Sequence, residues 1–340
     1  MKKRIWFNNW FNTAYHIINL IKQNGETEFE IFGTNRNPYS AVLSACDHSG
    51  VEEVMDEESY IDFCLDFCRK NSIDIFIPRS NMTEIAKNAK RFSELGTGLL
   101  ICCDSENLDI LSDKARFYEA LKGNSNFNIP EYRVVNNAAD FEKAYYDIEG
   151  KGHRVCFKPV LSEGATGFRI IDQNADSIDS LFSVSGYKVS LESVMKKLSQ
   201  RETFIDTMVM EYIGGYEYSI DCLAYNGRLL TAVPRKKVDG RVRLLEESRE
   251  LIEMAREMTR IFNLSYVFNI QVRFDGDCPK LLEVNPRMSG GIWISCFSGV
   301  NFPYLAVKLL LQGDAGIKIP EPEYGVMVSQ IEKEIYLNCK

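Results

Sequence analysis

Near the C-terminus, the stretch Phe268-Asn-Ile-Gln-Val-Arg-Phe-Asp-Gly-Asp-Cys-Pro-Lys-Leu-Leu-Glu-Val-Asn-Pro-Arg287 sets three oxygen-bearing side chains at a telling spacing. Phe268, Ile270, Val272 and Phe274 alternate with Asn269, Gln271 and Arg273, which is the period of a strand. Asp275-Gly276 supplies a turn, and Glu283 and Asn285 lie two apart on the returning run. In the expected register Gln271, Glu283 and Asn285 converge, giving three oxygen donors and one negative charge, with Arg287 just past the strand. An oxygen-only set of this kind suits a Mg²⁺ ion that keeps several waters and shares phosphate oxygens with a nucleotide. A half-exposed hairpin whose polar face meets water has the same alternation. The choice between the two rests on the remainder of the chain.

Two further groupings could handle a nucleotide. Lys158 ends an apolar run and precedes Pro159 and the turn-rich Ser162-Glu163-Gly164-Ala165-Thr166-Gly167. Glycines let a backbone approach an anion closely and offer it N–H groups, and a lysine beside such a loop is a natural phosphate partner. A plain hairpin turn reads the same way, and no Gly-Lys-Ser/Thr follows, so this is not a P-loop. Glu211 and Glu217 stand either side of Gly214-Gly215. Acids so placed can bind ribose hydroxyls or an exocyclic amine; they can equally be solvated acids at a bend.

The elements that must position these residues follow from periodicity and punctuation. Strands are expected at Arg4 to Phe7, Phe29 to Phe32, Ile73 to Ile77 and Leu99 to Cys102, with helices at Thr13 to Gln23, Ser59 to Lys70 and Met82 to Leu95. That alternation argues for a parallel sheet covered by helices, with ligands at the strand C-termini around Asn8-Asn9 and Arg79-Ser80-Asn81. No Gly-x-Gly-x-x-Gly follows the first strand, which disfavours a dinucleotide site. A short helix from Asp113 to Lys122 is expected to have Ser112 as its N-cap. A smaller segment follows, with a helix at Ala138 to Tyr146, strands at Arg154 to Lys158 and Phe168 to Ile171, and a helix at Leu191 to Leu198. Asn226-Gly227 between two apolar runs is a strong hairpin signal. The stripe Leu251, Met254, Met258, Ile261 and Phe262 marks a core-facing helix.

Composition narrows the class. At 340 residues the chain exceeds one small core. A net charge of −8 with no sustained basic block disfavours nucleic acid and membrane surfaces as partners. Ten cysteines at irregular spacing and three histidines argue against a zinc site and for reduced, mostly buried thiols. No leader and no membrane-length apolar run is read, so a cytoplasmic protein is expected, with a homodimer as the default assembly.

Taken in order, Asp113-Lys114, Phe157-Lys158-Pro159 with its glycine loop, Met210-Glu211, Arg235, Gln271 and Glu283-Val-Asn285-Pro-Arg287 resemble the ATP-grasp superfamily. The nearest likeness is to the synthetase domain of the carbamoyl-phosphate synthase large subunit, over about 104–313. The tail Gly299 to Gly313 is similar to that family's closing helix. The resemblance implies an α/β and α+β fold. A Rossmann-like parallel-sheet domain (1–105) would precede an ATP-grasp fold (106–340) with a mobile small lobe at about 132–209 and a C-terminal lobe at about 210–340. It implies ATP and Mg²⁺ as cofactors, with Mn²⁺ as a substitute. Lys114 and Lys158 would touch the phosphates, and Ser162, Glu163, Gly164, Ala165, Thr166 and Gly167 would close over them. Glu211, Tyr212 and Ile213 would hold adenine and Glu217 the ribose. Gln271, Glu283 and Asn285 would hold the metal; Arg235 and Arg287, with Lys158, would serve the transferred phosphoryl group. The implied activity is ligation of a small-molecule carboxylate to an amine or thiol through an acyl-phosphate. A phosphotransferase on the same scaffold, or an ATP-binding regulator without turnover, are the alternatives. The segment Lys236 to Leu245 matches no substrate signature.

Overall fold

In the computed structural model, which describes residues 2–162, 164–178, 186–332 and 334–337, the N-terminal strands are β1 (Lys3–Asn8), β2 (Phe29–Asn35), β3 (His48–Val51), β4 (Ile75–Ile77) and β5 (Gly98–Leu99). They pair in parallel in the order β3-β2-β1-β4-β5. The order reverses between β1 and β4, where open α/β sheets open a crevice at their strand ends. Trp6 on the central strand is stacked between Phe76 (4.1 Å) and Phe67 (4.3 Å), which fixes the sheet against helix Glu57–Asn71. That helix begins earlier than expected because Asp56 caps it, accepting from the Ser59 N–H at 2.9 Å. The expected helix from Met82 to Leu95 is two short ones, Met82–Lys87 and Ala89–Glu94, parted at Asn88. Strand β3 has no apolar alternation; it forms by pairing with β2.

Helix Lys114–Ala120 corrects one expectation. Its cap is Asp113, whose carboxylate accepts from the Ala115 and Arg116 N–H groups at 2.9 Å. Ser112 instead closes a preceding helix, Ser105–Ser112.

The second sheet consists of β6 (Tyr132–Val135), β7 (Val155–Pro159), β8 (Arg169–Ile171), β9 (Lys188–Val189) and β10 (Thr207–Glu211), in the order β6-β10-β7-β8-β9. Strand β10 lies antiparallel to both β6 and β7 and is buried along its whole length, so it shows no alternation in the sequence. Helices Ala138–Glu149 and Leu191–Leu198 supply Phe141, Ile148 and Val194 to the same core as Val155 and Val209.

The third sheet has β11 (Glu217–Tyr225), β12 (Arg228–Asp239), β13 (Val242–Leu245), β14 (Tyr266–Asp275), β15 (Cys278–Asn285) and β16 (Val326–Ser329), ordered β15-β14-β11-β12-β13-β16. Asn226 and Gly227 both have positive φ (47° and 73°), the conformation a tight hairpin needs. The chain forms two compact units. One gathers Met1–Asp109, Tyr216–Gln271 and Val284–Lys340; the other gathers Ile110–Gly215 and Val272–Glu283. In the larger unit Ile5, Ile17, Leu223, Val233, Leu245, Val267, Phe302 and Leu305 share one core. Helix Phe302–Gln312, capped by Asn301, matches the expected closing helix. Among the described residues no single helix is long and apolar enough to cross a membrane.

Candidate functional site

In the smaller unit two lysines share one carboxylate. Lys114 is 4% exposed and donates to the Ser162 carbonyl at 2.6 Å. Its Nζ lies 3.7 Å from Glu283 Oε2, and that of Lys158 lies 3.9 Å from the same oxygen. Burial pulls the Lys158 ammonium down to about 8; Lys114 pushes the same way, while Glu283 opposes. The expected phosphate lysines and the hairpin's glutamate are therefore brought together. They carry two positive charges against one negative, a surplus that a polyphosphate would balance. The loop after β7 turns through Gly164 (φ 59°) and Gly167 (φ 73°). A Cβ on Gly167 would fall 2.6 Å from Pro159 Cδ, so glycine is required there. Gly164, Ala165 and Thr166 are exposed, and Glu163 lies outside the described residues.

Glu211 ends β10 and is 3% exposed, so it is no solvated acid at a bend. Its carboxylate pairs with Lys280 and stands 3.4 Å from His153 Nδ1. The Tyr212 N–H donates to the Arg154 carbonyl at 2.7 Å, and Arg273 Nη1 donates to the Ile213 carbonyl at 2.8 Å. The backbone groups offered to adenine are thus partly engaged within the protein. Arg154 also lies 4.6 Å from the Tyr212 ring centre. A Cβ on Gly215 would come within 2.0 Å of the Phe274 carbonyl oxygen, so the Gly214-Gly215 bend is held hard against β14.

In the larger unit Arg235 is 6% exposed and Asp221 is fully buried. Arg235 Nη2 lies 3.1 Å from Asp221 Oδ2. The same carboxylate accepts from Ser295 Oγ (2.6 Å), Ser289 Oγ (2.7 Å) and Asn269 Nδ2 (2.8 Å). Asp221, Asn269, Ser289 and Ser295 were not anticipated; the available signal was a lone carboxylate inside the apolar run Ile220 to Ala224. Asn269 is fully buried, so the polar face of β14 does not simply meet water there. Gln271, Asn285 and Glu217 are half-buried. A Cβ on Gly291 would sit 2.9 Å from both terminal nitrogens of Arg235. Arg287 lies 5.4 Å from the Phe11 ring centre and Arg79 lies 6.0 Å from it. Asn8, expected near a ligand, is instead buried: it accepts from the Arg79 N–H at 2.6 Å and donates to Tyr60 Oη at 2.8 Å. It ties the ends of β1 and β4 together where the sheet order reverses.

Among the described residues no group of three or more His, Cys, Asp or Glu side chains could hold a metal. Gln271, Glu283 and Asn285 offer one carboxylate and two amide oxygens. Each of these side chains is a hard oxygen donor, of the kind that suits Mg²⁺ and not a softer metal.

Residues 203–334 match the family described as ATP-grasp in the biosynthetic pathway with Ter operon. Residues 12–100 match the PylC-like N-terminal domain. The carbamoyl phosphate synthase large chain of Clostridium acetobutylicum is 22% identical over 324 residues, covering 88% of this chain and 27% of its own. The chain thus spans about a quarter of that relative's length. The biotin carboxylase domain of Hydrogenobacter thermophilus 2-oxoglutarate carboxylase, solved with MgADP and bicarbonate, superposes with a TM-score of 0.65 at 15% identity, over 96% of this chain and 73% of that one. The L-amino acid ligase of Bacillus licheniformis gives 0.63 at 17% identity, over 92% and 74%. Both likenesses show the fold, mixed α/β with a parallel N-terminal sheet followed by the ATP-grasp arrangement.

Proposed function

Because this chain belongs to the ATP-grasp superfamily, we propose that it is an ATP- and magnesium-dependent ligase. It would activate a substrate carboxylate as an acyl-phosphate and couple it to an amine, releasing ADP and phosphate. The observation that carries this reading is the pair of buried lysines, Lys114 and Lys158, set around the hairpin carboxylate Glu283. Lys114 and Lys158 hold the phosphates, and the backbone of Ser162 and of Gly164 to Gly167 covers them. Glu211, with Tyr212 and Ile213, holds adenine, and Glu217 the ribose. Gln271, Glu283 and Asn285 would hold Mg²⁺ or Mn²⁺, which when bound neutralises phosphate charge.

The substrate carboxylate oxygen attacks the γ-phosphorus, and the bond to the bridging oxygen breaks to leave ADP. Arg287, and Arg235 already oriented by Asp221, face the charge on the transferred group. The amine nitrogen then attacks the acyl carbon, phosphate departs with the bonding electrons, and the nitrogen loses a proton. No covalent bond to the enzyme is needed, so positioning and charge neutralisation are the protein's contribution. The experiment is ADP release by Glu283→Ala, with circular dichroism as a control for folding. Turnover should fall to background in that variant, and full turnover would remove Glu283 from the mechanism. A requirement for two co-substrates in the unaltered chain separates ligation from simple phosphoryl transfer.

A further inference from the structure

The stretch Lys236 to Leu245, which resembles no substrate signature, forms the outer end of the β12–β13 hairpin. Its register places Lys237 directly opposite Arg243 and Arg235 opposite Leu245. Residues opposed across a ladder share a face, as do residues two apart on one strand. Arg235, Lys237 and Arg243 therefore lie on one face, in neighbouring rows about 7 Å apart. Like charges directly opposite each other on a sheet repel. On its other side Arg243 meets Val328 of β16, not an acid.

The carboxylates close by have partners of their own. Asp221 is taken by Arg235, Glu246 by Lys236 and Tyr218, and Glu332 by Arg241. Arg243 feels attraction from Glu217 and repulsion from Arg235, and burial holds its pKa down. Its Nη1 is anchored by the Gly240 carbonyl at 2.8 Å and the Val242 carbonyl at 2.9 Å. Lys237 makes no ion pair among the described residues. A sheet gains nothing in stability from such a row. Beside it stands Arg235, whose guanidinium abuts Gly291 in the loop that begins at Arg287.

We propose that Lys237 and Arg243 bind a second anionic group on the carboxylate substrate, so that the acid this protein activates carries at least two negative charges. The inference rests on the ligase reading above and names the substrate class of that site. A carboxylate and a phosphate both supply the charge and the acceptor oxygens a guanidinium recognises.

The test is a thermal-shift titration of the full chain, first with MgADP, then with succinate, its mono-amide succinamate, or phosphoglycolate added. Succinate or phosphoglycolate should bind about tenfold more tightly than succinamate, the effect of one charged hydrogen-bonding partner. Whichever gives the larger shift identifies the second group. In Arg243→Gln and Lys237→Gln that preference should vanish. The ligand-free variants should melt at the same temperature as the parent or above it, because a like-charge pair has been removed. Equal binding of dianion and mono-amide, no shift from any acid, a preference that survives both substitutions, or a lower melting temperature in both ligand-free variants would each overturn the proposal. The MgADP shift is read separately. A chain that binds MgADP without preferring dianions keeps the ligase reading and loses this one. A chain that prefers dianions but ignores MgADP does the reverse.

Discussion

Lys158 carries the sharpest consequence at the scale of single residues. Its ammonium titrates near 8 rather than 10.5, chiefly because it is buried. Bound phosphates would restore the charged form, so nucleotide binding should take up a proton between pH about 8 and about 10.5, and none well below pH 8. Calorimetry at pH 8.5 in two buffers of different ionisation enthalpy measures this, and Lys158→Arg, which stays charged throughout, should abolish the uptake. The same shift has a sign for stability. Across that window the unfolded chain binds more protons than the folded one, so Lys158 makes the nucleotide-free protein more stable as pH rises from about 8. Flat stability there in the parent, set against Lys158→Met, would contradict it. Lys158 and Glu283 were legible in the sequence because each stands in a local pattern, a strand end before a glycine turn and an alternating hairpin, whereas Lys114, at the start of a helix, was picked out only by the family resemblance. Lys280 and Asp221 were not, since what defines them is a partner 69 residues away for Lys280 and up to 74 away for Asp221. Spacing along one strand carries no information about such pairs.

At the scale of elements, Asp221 joins β11 to β12, β14 and the segment Ser289 to Ser295 through a single carboxylate. Asp221→Ala leaves the Arg235 guanidinium buried without its counter-charge, and should cost about 3–5 kcal/mol in urea denaturation. Asp221→Asn, which keeps shape and some hydrogen bonds, should cost less. Gly215→Ala must displace the Phe274 carbonyl, so about 1–3 kcal/mol of overpacking is expected by the same measurement, and a neutral result would refute the close approach. The hairpins at Asn226-Gly227 and around Gly276 were readable because these residues take positive φ, although the second turn is Gly276-Asp277, one residue later than the expected Asp275-Gly276, because Asp275 still belongs to β14. Strands β3, β10, β13 and β16 were not. Strand β10 is buried on both faces, β3 is a short edge strand without apolar alternation, and β16 is a short edge strand whose partner β13 is distant in the chain.

For the molecule as a whole, binding and stability are linked by mass action. MgATP at a hundred times its Kd should raise the unfolding free energy by about 2.7 kcal/mol, and Glu283→Ala should lose the magnesium-dependent part of that gain. A melting curve with ATP, with and without Mg²⁺, checks both. The parallel N-terminal sheet was legible from its alternation of strand and helix. The return of the C-terminal helix to the first helix was not, because it depends on Asn301 reaching the Leu20 carbonyl at 2.9 Å and Tyr304 reaching Glu26 at 2.9 Å, contacts between opposite ends of the chain. Buried thiols such as Cys64, Cys68 and Cys222 have their ionisation pushed up by burial, so they remain protonated and inert near neutral pH.

The overhang of β12 and β13 has an evolutionary side. Its tip, Val238 to Arg241, is exposed and contributes nothing to the core, whereas Leu245 at its base is fully buried. Its register shifts between Lys237 and Asp239. Substitutions at the tip should therefore leave the melting temperature nearly unchanged, whereas Leu245→Ala should cost about 2–5 kcal/mol. Under the proposal above, the two residues that select the acid, Lys237 and Arg243, flank that tip, so the selecting charge can change without disturbing buried Leu245.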